Sequence, residues 1–161
     1  MRSAQFGFTL VELMVGLSIM VALLMSLVPF TADWIHSSQT RDASAKLKLA
    51  YGIAKGTALR NPQASRGSDP AASLKITSDG TTTTLLSCSG PSTGAECKAN
   101  GSAVVWTSSY PANVATELNG VLLTTSQAIK LELTNRSDQT DAGSFTLSRG
   151  SANNTQSGNL D

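Results

Sequence analysis

Charged residues are scarce in this chain, and the residue types that build most catalytic and metal sites are scarcer still. Asp, Glu, Lys and Arg make up 14% of its 161 residues, against about 25% in an average soluble domain. One histidine and two cysteines are too few for a His-rich or four-cysteine metal site. A net charge of +1 argues against a globally basic nucleic-acid-binding domain. For a chain of single-domain length, these shortages favour a structural or binding protein over an enzyme.

The sequence also lacks the usual catalytic motifs. It contains no phosphate-binding loop, no paired-cysteine metal motif and no G-x-S-x-G sequence. A Ser-His-Asp triad would have to use His36, the one histidine, and its position just after an apolar run is typical of a solvated helix residue. We therefore expect a protein that is not an enzyme, with no catalytic residue, no metal and no cofactor.

What the chain does have is a long apolar run at its N-terminus. From Phe8 to Phe30 there are 23 residues in which Glu12 is the only charge. As a helix this run spans about 34 Å, enough to cross a hydrocarbon core of about 30 Å. A secretory signal peptide is the alternative, but its apolar run is shorter and precedes a small-residue cleavage site, which is missing here. We expect residues 8–30 to remain on the protein as a transmembrane helix.

Glu12 is the anomaly in this run, because a carboxylate at bilayer depth costs about 2.5–3.5 kcal/mol on insertion scales. Two interpretations are open. Glu12 lies four residues into the run, so it could extend to the headgroups. Alternatively, it pairs with a cation at the same depth, such as a free amino group created on a neighbouring subunit by cleavage just before Phe8.

The stretch from Gly7 to Leu13 (GFTLVEL) resembles the processing site of type IV pilins and type II secretion pseudopilins. The resemblance implies that prepilin peptidase cleaves after Gly7 and that the new N-terminal Phe8 is methylated. It makes Glu12 the fifth mature residue, where this family has its assembly glutamate, and it matches Pro29 to the family's frequent proline. Residues 1–7 would be the leader, and Arg2 in it favours a cytoplasmic start.

The helix is predicted to continue past the membrane as an amphipathic segment over residues 31–62. Apolar or small residues recur at steps of four and three, and Leu49 and Ile53 widen their face; the recurring residues are Ala43, Leu47, Ala50, Ala54 and Thr57. Asn61-Pro62 is predicted to end the helix. Gly52 and Gly56 form a G-x-x-x-G pair that we interpret as a place where a strand or loop approaches the helix.

Residues 63–150 have the pattern of an antiparallel sheet, with short apolar runs between turn signals. Asp79-Gly80 predicts a hairpin turn, and the predicted strands are Ser73–Thr77, Thr81–Leu86, Ala103–Thr107, Gly120–Thr125, Ala128–Thr134 and Gly143–Ser148. Residues 151–161 contain almost nothing apolar, so a flexible tail is predicted. The fold class that the resemblance implies is α+β, the pilin fold, in which a long N-terminal helix packs on a small antiparallel sheet.

Cys88 and Cys97 enclose eight residues. In an exported domain they are expected to form a disulfide, and two reduced thiols are the alternative. Many major pilins have a larger disulfide loop near the C-terminus, so this short one favours a minor subunit.

A narrower resemblance links the chain to the FimT/GspH group of minor pilins and pseudopilins. The helix end from Leu47 to Asn61 is similar, and so is the strand Ile129–Leu133 followed by Gly143–Leu147, which would form a closing hairpin. This implies a subunit anchored in the bacterial inner membrane with a periplasmic domain, later built into a pilus or pseudopilus. Its implied partners are prepilin peptidase, other pilin or pseudopilin subunits, the inner-membrane assembly platform and the lipid bilayer.

DNA binding during natural transformation is the alternative function, since some FimT-type minor pilins bind DNA. From Arg41 to Lys75 there are seven basic and two acidic residues, a local balance of +5. The clustered C-terminal arginines of the DNA-binding members are absent. The candidate DNA-binding residues are Lys46, Lys48, Lys55, Arg60, Arg136 and Arg149. An ordinary single-span membrane enzyme is a third possibility, and it predicts no processing at Gly7.

Overall fold

A long helix, α1 (Leu10–Arg60), fills the N-terminal part of the chain. The computed structural model describes residues 9–125, 127–136, 143–150 and 154–160. Two compact units follow one another along the sequence, residues 1–35 and 36–161, with their boundary inside α1. The helix ends where the sequence predicts, because Asn61 adopts a left-handed conformation (φ 44°) directly before Pro62. The backbone stays helical through Pro29.

The amphipathic face predicted for the second half of α1 is confirmed. Its five members are all buried: Ala43, Leu47, Ala50, Ala54 and Thr57. The prediction that Leu49 widens this face is wrong, since its side chain is 54% exposed. Two residues after Leu47 an α-helix has turned by about 200°, which directs Leu49 to the opposite side. Ile53 is half-buried.

The G-x-x-x-G pair of α1 makes no close contact with another segment of the described chain. A Cβ atom added to Gly52 or Gly56 would meet no atom of the described chain within 4 Å. The interpretation that a strand or loop approaches the helix is therefore wrong at Gly56. At Gly52 the end of β8 lies across a cavity lined by Gly52, Asn159 and Leu160, without contact at the glycine.

Two antiparallel sheets follow the helix in the described residues, where a single small sheet was predicted. The first contains β1 (Ala72–Ser78), β2 (Thr82–Ser89), β3 (Val104–Pro111) and β6 (Ile129–Leu133), in the order β3-β2-β1-β6. The second contains β4 (Ala115–Leu118), β5 (Val121–Leu122), β7 (Gly143–Ser148) and β8 (Thr155–Leu160), in the order β5-β4-β7-β8.

The hairpin predicted at Asp79-Gly80 is confirmed, and it joins β1 to β2. The Asp79 carboxylate accepts hydrogen bonds from the backbone N–H groups of Thr82 (2.6 Å) and Thr81 (2.8 Å). These bonds favour the charged form and hold the pKa of Asp79 below its ordinary value. Gly80 supplies the positive φ of 88° that the turn requires.

Two predictions about the C-terminal third are wrong. Strands β6 and β7 form no closing hairpin, because β6 pairs with β1 whereas β7 pairs with β4 and β8. The segment predicted to be a flexible tail forms a strand, β8, over residues 155–160; residues 151–153 and 161 lie outside the described residues. Pairing along all of β7 orders this polar segment, helped by burial of Leu160 at its end.

Other strand bounds also differ from the predictions. The predicted strand over residues 120–125 retains only β5, and the one over 103–107 extends as β3 to Pro111. The sequence pattern missed β4 altogether.

One core joins the second half of α1 to both sheets. It includes Leu47 from the helix, Leu74 and Leu131 from the first sheet, and Leu118 and Leu147 from the second. Two buried polar contacts connect the layers. The Ser87 hydroxyl of β2 donates to the Ala50 carbonyl of α1 (2.8 Å), and the hydroxyls of Tyr110 in β3 and Thr116 in β4 lie 2.7 Å apart.

The predicted disulfide between Cys88 and Cys97 is present. Both cysteines are buried, and with Leu86 and the partly buried Val104 they form a small cluster separate from the main core. The loop they close is held further by Lys75, whose ammonium donates to the Cys97 carbonyl (3.0 Å).

Candidate assembly segment and interaction surfaces

The part of α1 that lies in the first unit presents an apolar surface that no other described residue covers. Its most apolar 18-residue window has a mean hydropathy of 2.4, and none of that window is buried. Large side chains such as Leu10, Leu17 and Met25 are more than half exposed. Soluble proteins rarely leave so large an apolar area to water, so this surface requires a bilayer or neighbouring helices.

Serines in this apolar segment satisfy their own hydrogen bonds. The hydroxyl of Ser18 donates to the Met14 carbonyl (2.8 Å), and that of Ser26 donates to the Ala22 carbonyl (3.0 Å). Such bonds within the helix remove the cost of placing a hydroxyl in hydrocarbon. Among the polar side chains described from residue 10 to 26, the Glu12 carboxylate is the one with no hydrogen bond or ion pair.

Glu12 also lies at a special position of the helix. Thr9 precedes α1, its hydroxyl accepts a hydrogen bond from the Glu12 backbone N–H (3.2 Å), and its carbonyl accepts one from Leu13. Thr9 is thus an N-cap, and the T-x-x-E spacing is that of a capping box. A carboxylate in the first turn favours the helix, because the exposed N–H groups there carry partial positive charge. The side chain remains exposed and available to a cation from outside the chain.

Of the other residues predicted for processing and assembly, Gly7 and Phe8 lie outside the described residues. Pro29 lies within the helical backbone of α1.

The six candidate DNA-binding residues lie on different parts of the fold. Lys46 is engaged internally: its ammonium lies 2.8 Å from the Asp42 carboxylate and donates to the Ser109 carbonyl (2.9 Å). Lys48 lies over the ring of Phe145, 5.7 Å from its centroid. Because Ser109 is in the first sheet and Phe145 in the second, these two lysines extend toward different sheets.

Three other arginines are adjacent in sequence to residues that are joined by hydrogen bonds at Ser65. The Ser65 carbonyl accepts hydrogen bonds from the side-chain amides of Asn61 (2.9 Å) and Asn135 (3.4 Å). Arg60, Arg66 and Arg136 are the chain neighbours of these three residues, and all three are exposed. We call them the arginine cluster.

A cavity of about 370 Å³ lies beside this cluster, and Arg136 lines it together with Gly67, Ser68, Thr134 and Asn135. No salt bridge involves the cluster within the described part of the chain. The candidate DNA-binding residues predicted from the sequence include Arg60 and Arg136 but not Arg66. The hydrogen bond between Asn135 and Ser65 joins residues 70 positions apart, so no local pattern relates Arg136 to the other two.

His36 and Arg149 are placed otherwise than expected. His36 was predicted to be a solvated helix residue, but it is half-buried, and a Cβ atom built on Gly150 would lie 2.7 Å from its Nδ1. Arg149 is also half-buried, with its Nη1 atom shielded and unpaired. Arg149 therefore does not belong to an exposed cationic surface.

A second cavity, of about 390 Å³, lies between the turn from β4 to β5 and the start of β6. Its lining residues are Leu118, Asn119, Val121, Gln127, Ala128, Ile129 and Lys130. The sequence prediction missed this cavity because it missed β4. Across the described residues, no group of three or more His, Cys, Asp or Glu side chains is placed to hold a metal.

Comparison with known proteins yields one match. Residues 2–28 match the family model described as the prokaryotic N-terminal methylation motif. The match covers residues 2–7 of the predicted leader and most of the apolar run, including Glu12, and ends before Pro29. No curated protein and no solved structure shows a significant match to the chain.

Proposed function

We propose that this chain, a type IV pilin-like or pseudopilin protein by its N-terminal methylation motif, is a minor subunit of a type IV pilus or type II secretion pseudopilus. The observation that carries the proposal is that the processing motif runs directly into an apolar helix whose surface no described residue covers. The carboxylate in the apolar run, that of Glu12, has no partner in the described residues.

Processing would complete an ion pair between subunits. Cleavage after Gly7 converts the backbone nitrogen of Phe8 into an amine, four residues before Glu12. Within one helix the two groups lie about 6 Å apart along the axis, and a neighbour shifted by that distance aligns its amine with this carboxylate. Opposite charges attract far more strongly in hydrocarbon than in water, so the pairing offsets the cost of burying Glu12 and favours one register.

The apolar helix and the motif fit anchoring in the inner membrane before assembly. In this proposal Arg2 keeps the leader in the cytoplasm, and the two-sheet domain lies in the periplasm, where Cys88 and Cys97 are oxidised. The assembly platform of the inner membrane then extracts the subunit into the filament. The domain contributes contacts with other subunits and performs no catalysis.

The first experiment is to measure the mature N-terminus by mass spectrometry of the membrane-expressed chain, with and without a prepilin peptidase. The expected result is loss of residues 1–7 and a methylated Phe8 only when the peptidase is present. An intact N-terminus in its presence would contradict the proposal and reduce the chain to a membrane-anchored domain.

The ion pair has its own test, which is to compare incorporation of Glu12→Gln and Ser18→Ala into filaments. Glu12→Gln keeps the shape and removes the charge, so we expect incorporation to fall at least tenfold, about the factor expected when a charged hydrogen bond worth 1.5 kcal/mol is lost. Ser18→Ala removes a hydroxyl bonded only within its own helix and should assemble normally. Equal incorporation of the two variants would refute the charge-pair mechanism.

The alternative function is DNA capture, and the arginine cluster is the observation that favours it. Three exposed arginines without carboxylate partners in the described residues suit phosphate contacts. The test is an electrophoretic mobility shift with the full chain in detergent at several salt concentrations. Arg66→Gln should weaken salt-sensitive binding, whereas Lys46→Gln should not, since Lys46 already pairs with Asp42. Absence of salt-sensitive binding by the unaltered chain would exclude this function.

A further inference from the structure

Strand β8 forms an open edge of the second sheet, because it pairs with β7 on one side and with no described strand on the other. Such an edge offers unpaired N–H and C=O groups to other chains, and proteins commonly block it with charged side chains, proline or a very short strand. β8 has none of these devices, since its six residues include no charge and no proline. The edge is therefore available for pairing with a further strand.

The other three edge strands of the described sheets are each blocked. In β3 the Ser109 carbonyl already accepts a hydrogen bond from the Lys46 ammonium (2.9 Å), and Pro111 lacks an N–H. β5 has only two residues. β6 carries two charged side chains, Lys130 and Glu132, among its five residues. This contrast identifies β8 as the edge to which a partner can add a strand.

The register shows which backbone groups of β8 point outward. The Asn119 N–H donates to the Ser144 carbonyl (2.9 Å), so the even-numbered residues of β7 bond to β4 and the odd-numbered ones bond to β8. Their partners in the register are the even-numbered residues of β8. Ser157 and Asn159 therefore direct their N–H and C=O groups away from β7. Both residues are exposed, and no described group outside the strand hydrogen-bonds to them.

A cavity of about 310 Å³ beside this edge has room for a side chain of an added strand. It lies between α1 and the end of β8, and its lining residues are Lys48, Tyr51, Gly52, Asn159 and Leu160. Side chains of a strand alternate between its two faces, so every second residue of an added strand would point toward the helix. Gly52 leaves this space open, since a Cβ atom there would meet no atom of the described chain within 4 Å.

The helix side of the cavity is cationic, which defines the chemistry of the partner. Lys48 and Lys55 are seven residues apart, about two turns along the side of α1 that includes Gly52. Within the described residues neither lysine is paired with a carboxylate, and no acidic side chain lines the cavity. A carboxylate on the inward side of the added strand would complement these charges. None of the six residues of β8 is acidic, so a second copy of this strand would not supply it.

We propose that the open edge of β8 binds an extended, acidic segment of another subunit, which adds a strand to the second sheet. The backbone groups of Ser157 and Asn159 supply the main-chain hydrogen bonds, and the cavity at Gly52 and its lysines select the side chains. That the partner is another subunit rests on the proposed function, whereas the open edge, the cavity and the charges do not.

The test uses a labelled peptide, TVTETVT, in which threonine and valine favour a strand and the glutamate lies on the same side as the valines. Its binding to the full chain in detergent is measured by fluorescence anisotropy. Ser157→Pro should lower the affinity about tenfold, because it removes an outward N–H and directs its ring toward the added strand. Ser157→Ala keeps the N–H and is the matched control, with an unchanged affinity. Equal affinities of the two variants, or no binding to the unaltered chain, would overturn the proposal.

The charge of the partner is tested with a second peptide, TVTQTVT. The unaltered chain should bind the glutamate peptide about two- to fivefold more tightly than the glutamine peptide, as expected for a partly exposed ion pair. Lys48→Gln should remove this preference, whereas Lys130→Gln, on the edge strand of the other sheet, should retain it. Equal binding of the two peptides by the unaltered chain would refute an acidic partner.

Amide hydrogen exchange of the unaltered chain replaces the proline variant if Ser157→Pro fails to fold by circular dichroism. Saturating peptide should slow exchange about tenfold at Ser157 and Asn159. It should change the rate at Gly158 little, because the register already bonds that N–H to β7. Unchanged rates at all three positions would contradict strand addition.

Two further outcomes are distinguished on the same samples. A concentration-dependent dimer that Ser157→Pro abolishes would identify a second copy of the chain as the occupant and overturn the acidic partner. Cleavage after Gly7 is measured in parallel, so that absence of peptide binding with normal processing refutes this inference alone.

Discussion

Replacing Tyr110 with phenylalanine should make the domain less stable than the unaltered protein at neutral pH and more stable than it at strongly alkaline pH. Tyr110 is 2% exposed, and its hydroxyl lies 2.7 Å from that of Thr116, so this contact joins the two sheets. Burial raises the pKa of Tyr110 to about 12, although the hydrogen bond with Thr116 acts in the opposite direction. Thr116 has a second contact, since its hydroxyl donates to the Val114 carbonyl.

At neutral pH, Tyr110→Phe removes one buried hydrogen bond, which is worth about 1 kcal/mol. The loss stays near that value because Thr116 keeps its bond to the Val114 carbonyl. At alkaline pH the unaltered protein loses this advantage in free energy of unfolding. The unfolded chain releases the phenol proton near pH 10, whereas the folded chain releases it near pH 12, so the unaltered protein loses about 2.7 kcal/mol as pH rises between these values.

The variant has no proton to lose at this position, so the two stability curves should cross near pH 11. The assay is urea unfolding of the full chain in detergent, followed by the fluorescence of Trp106 in a Trp34→Phe background. The lysines titrate in both proteins and cancel in the comparison. Curves that stay parallel between pH 10 and pH 12 would refute the claim that Tyr110 is buried as a neutral phenol.

Three further substitutions test other parts of the fold. Ser87→Ala should lower the free energy of unfolding by about 1–3 kcal/mol, measured by urea unfolding, because it leaves the buried Ala50 carbonyl without this donor. Ser89→Ala, at a half-buried serine of the same strand, is the control and should cost less, because the Ala103 carbonyl that the Ser89 hydroxyl contacts also accepts the Ser89 backbone N–H (2.8 Å). Gly101→Ala should disorder the disulfide loop, since its Cβ would overlap the Glu96 carbonyl, and unchanged protease resistance there would contradict the packing. Asp79→Asn should remove a contribution to stability that is present above pH 4 and is lost as pH falls through the lowered pKa of the folded carboxyl. Thermal unfolding between pH 2 and 6 measures this contribution. Identical acid profiles of the two proteins would refute the prediction.

Local patterns of the sequence predicted the local features of the structure well. The steps of four and three residues identified the buried face of α1, and Asn61-Pro62 its end. Asp79-Gly80 identified the first hairpin. Each of these features depends on residues within a turn or two of one another, so a pattern of neighbours is sufficient to specify them.

Apart from Leu49, whose side of α1 follows from helix geometry alone, most errors concern residues whose partners are far away in sequence. β8 has little apolar character, and it becomes a strand because all six of its residues pair with β7. His36 appeared to be a solvated helix residue until Gly150, more than a hundred residues later, was found packed against it. Nothing in the sequence near His36 or Gly150 indicates that these two residues are packed together.

The sequence by itself therefore determined the long apolar helix, the N-terminal methylation motif and the helical position of Glu12, all of which lie in one continuous segment. The tertiary structure decided that there are two sheets, that Asn61 and Asn135 meet at the Ser65 carbonyl, and that Gly150 packs against His36. Those arrangements arise from strand pairing and core packing, which satisfy backbone hydrogen bonds and bury apolar surface between distant segments.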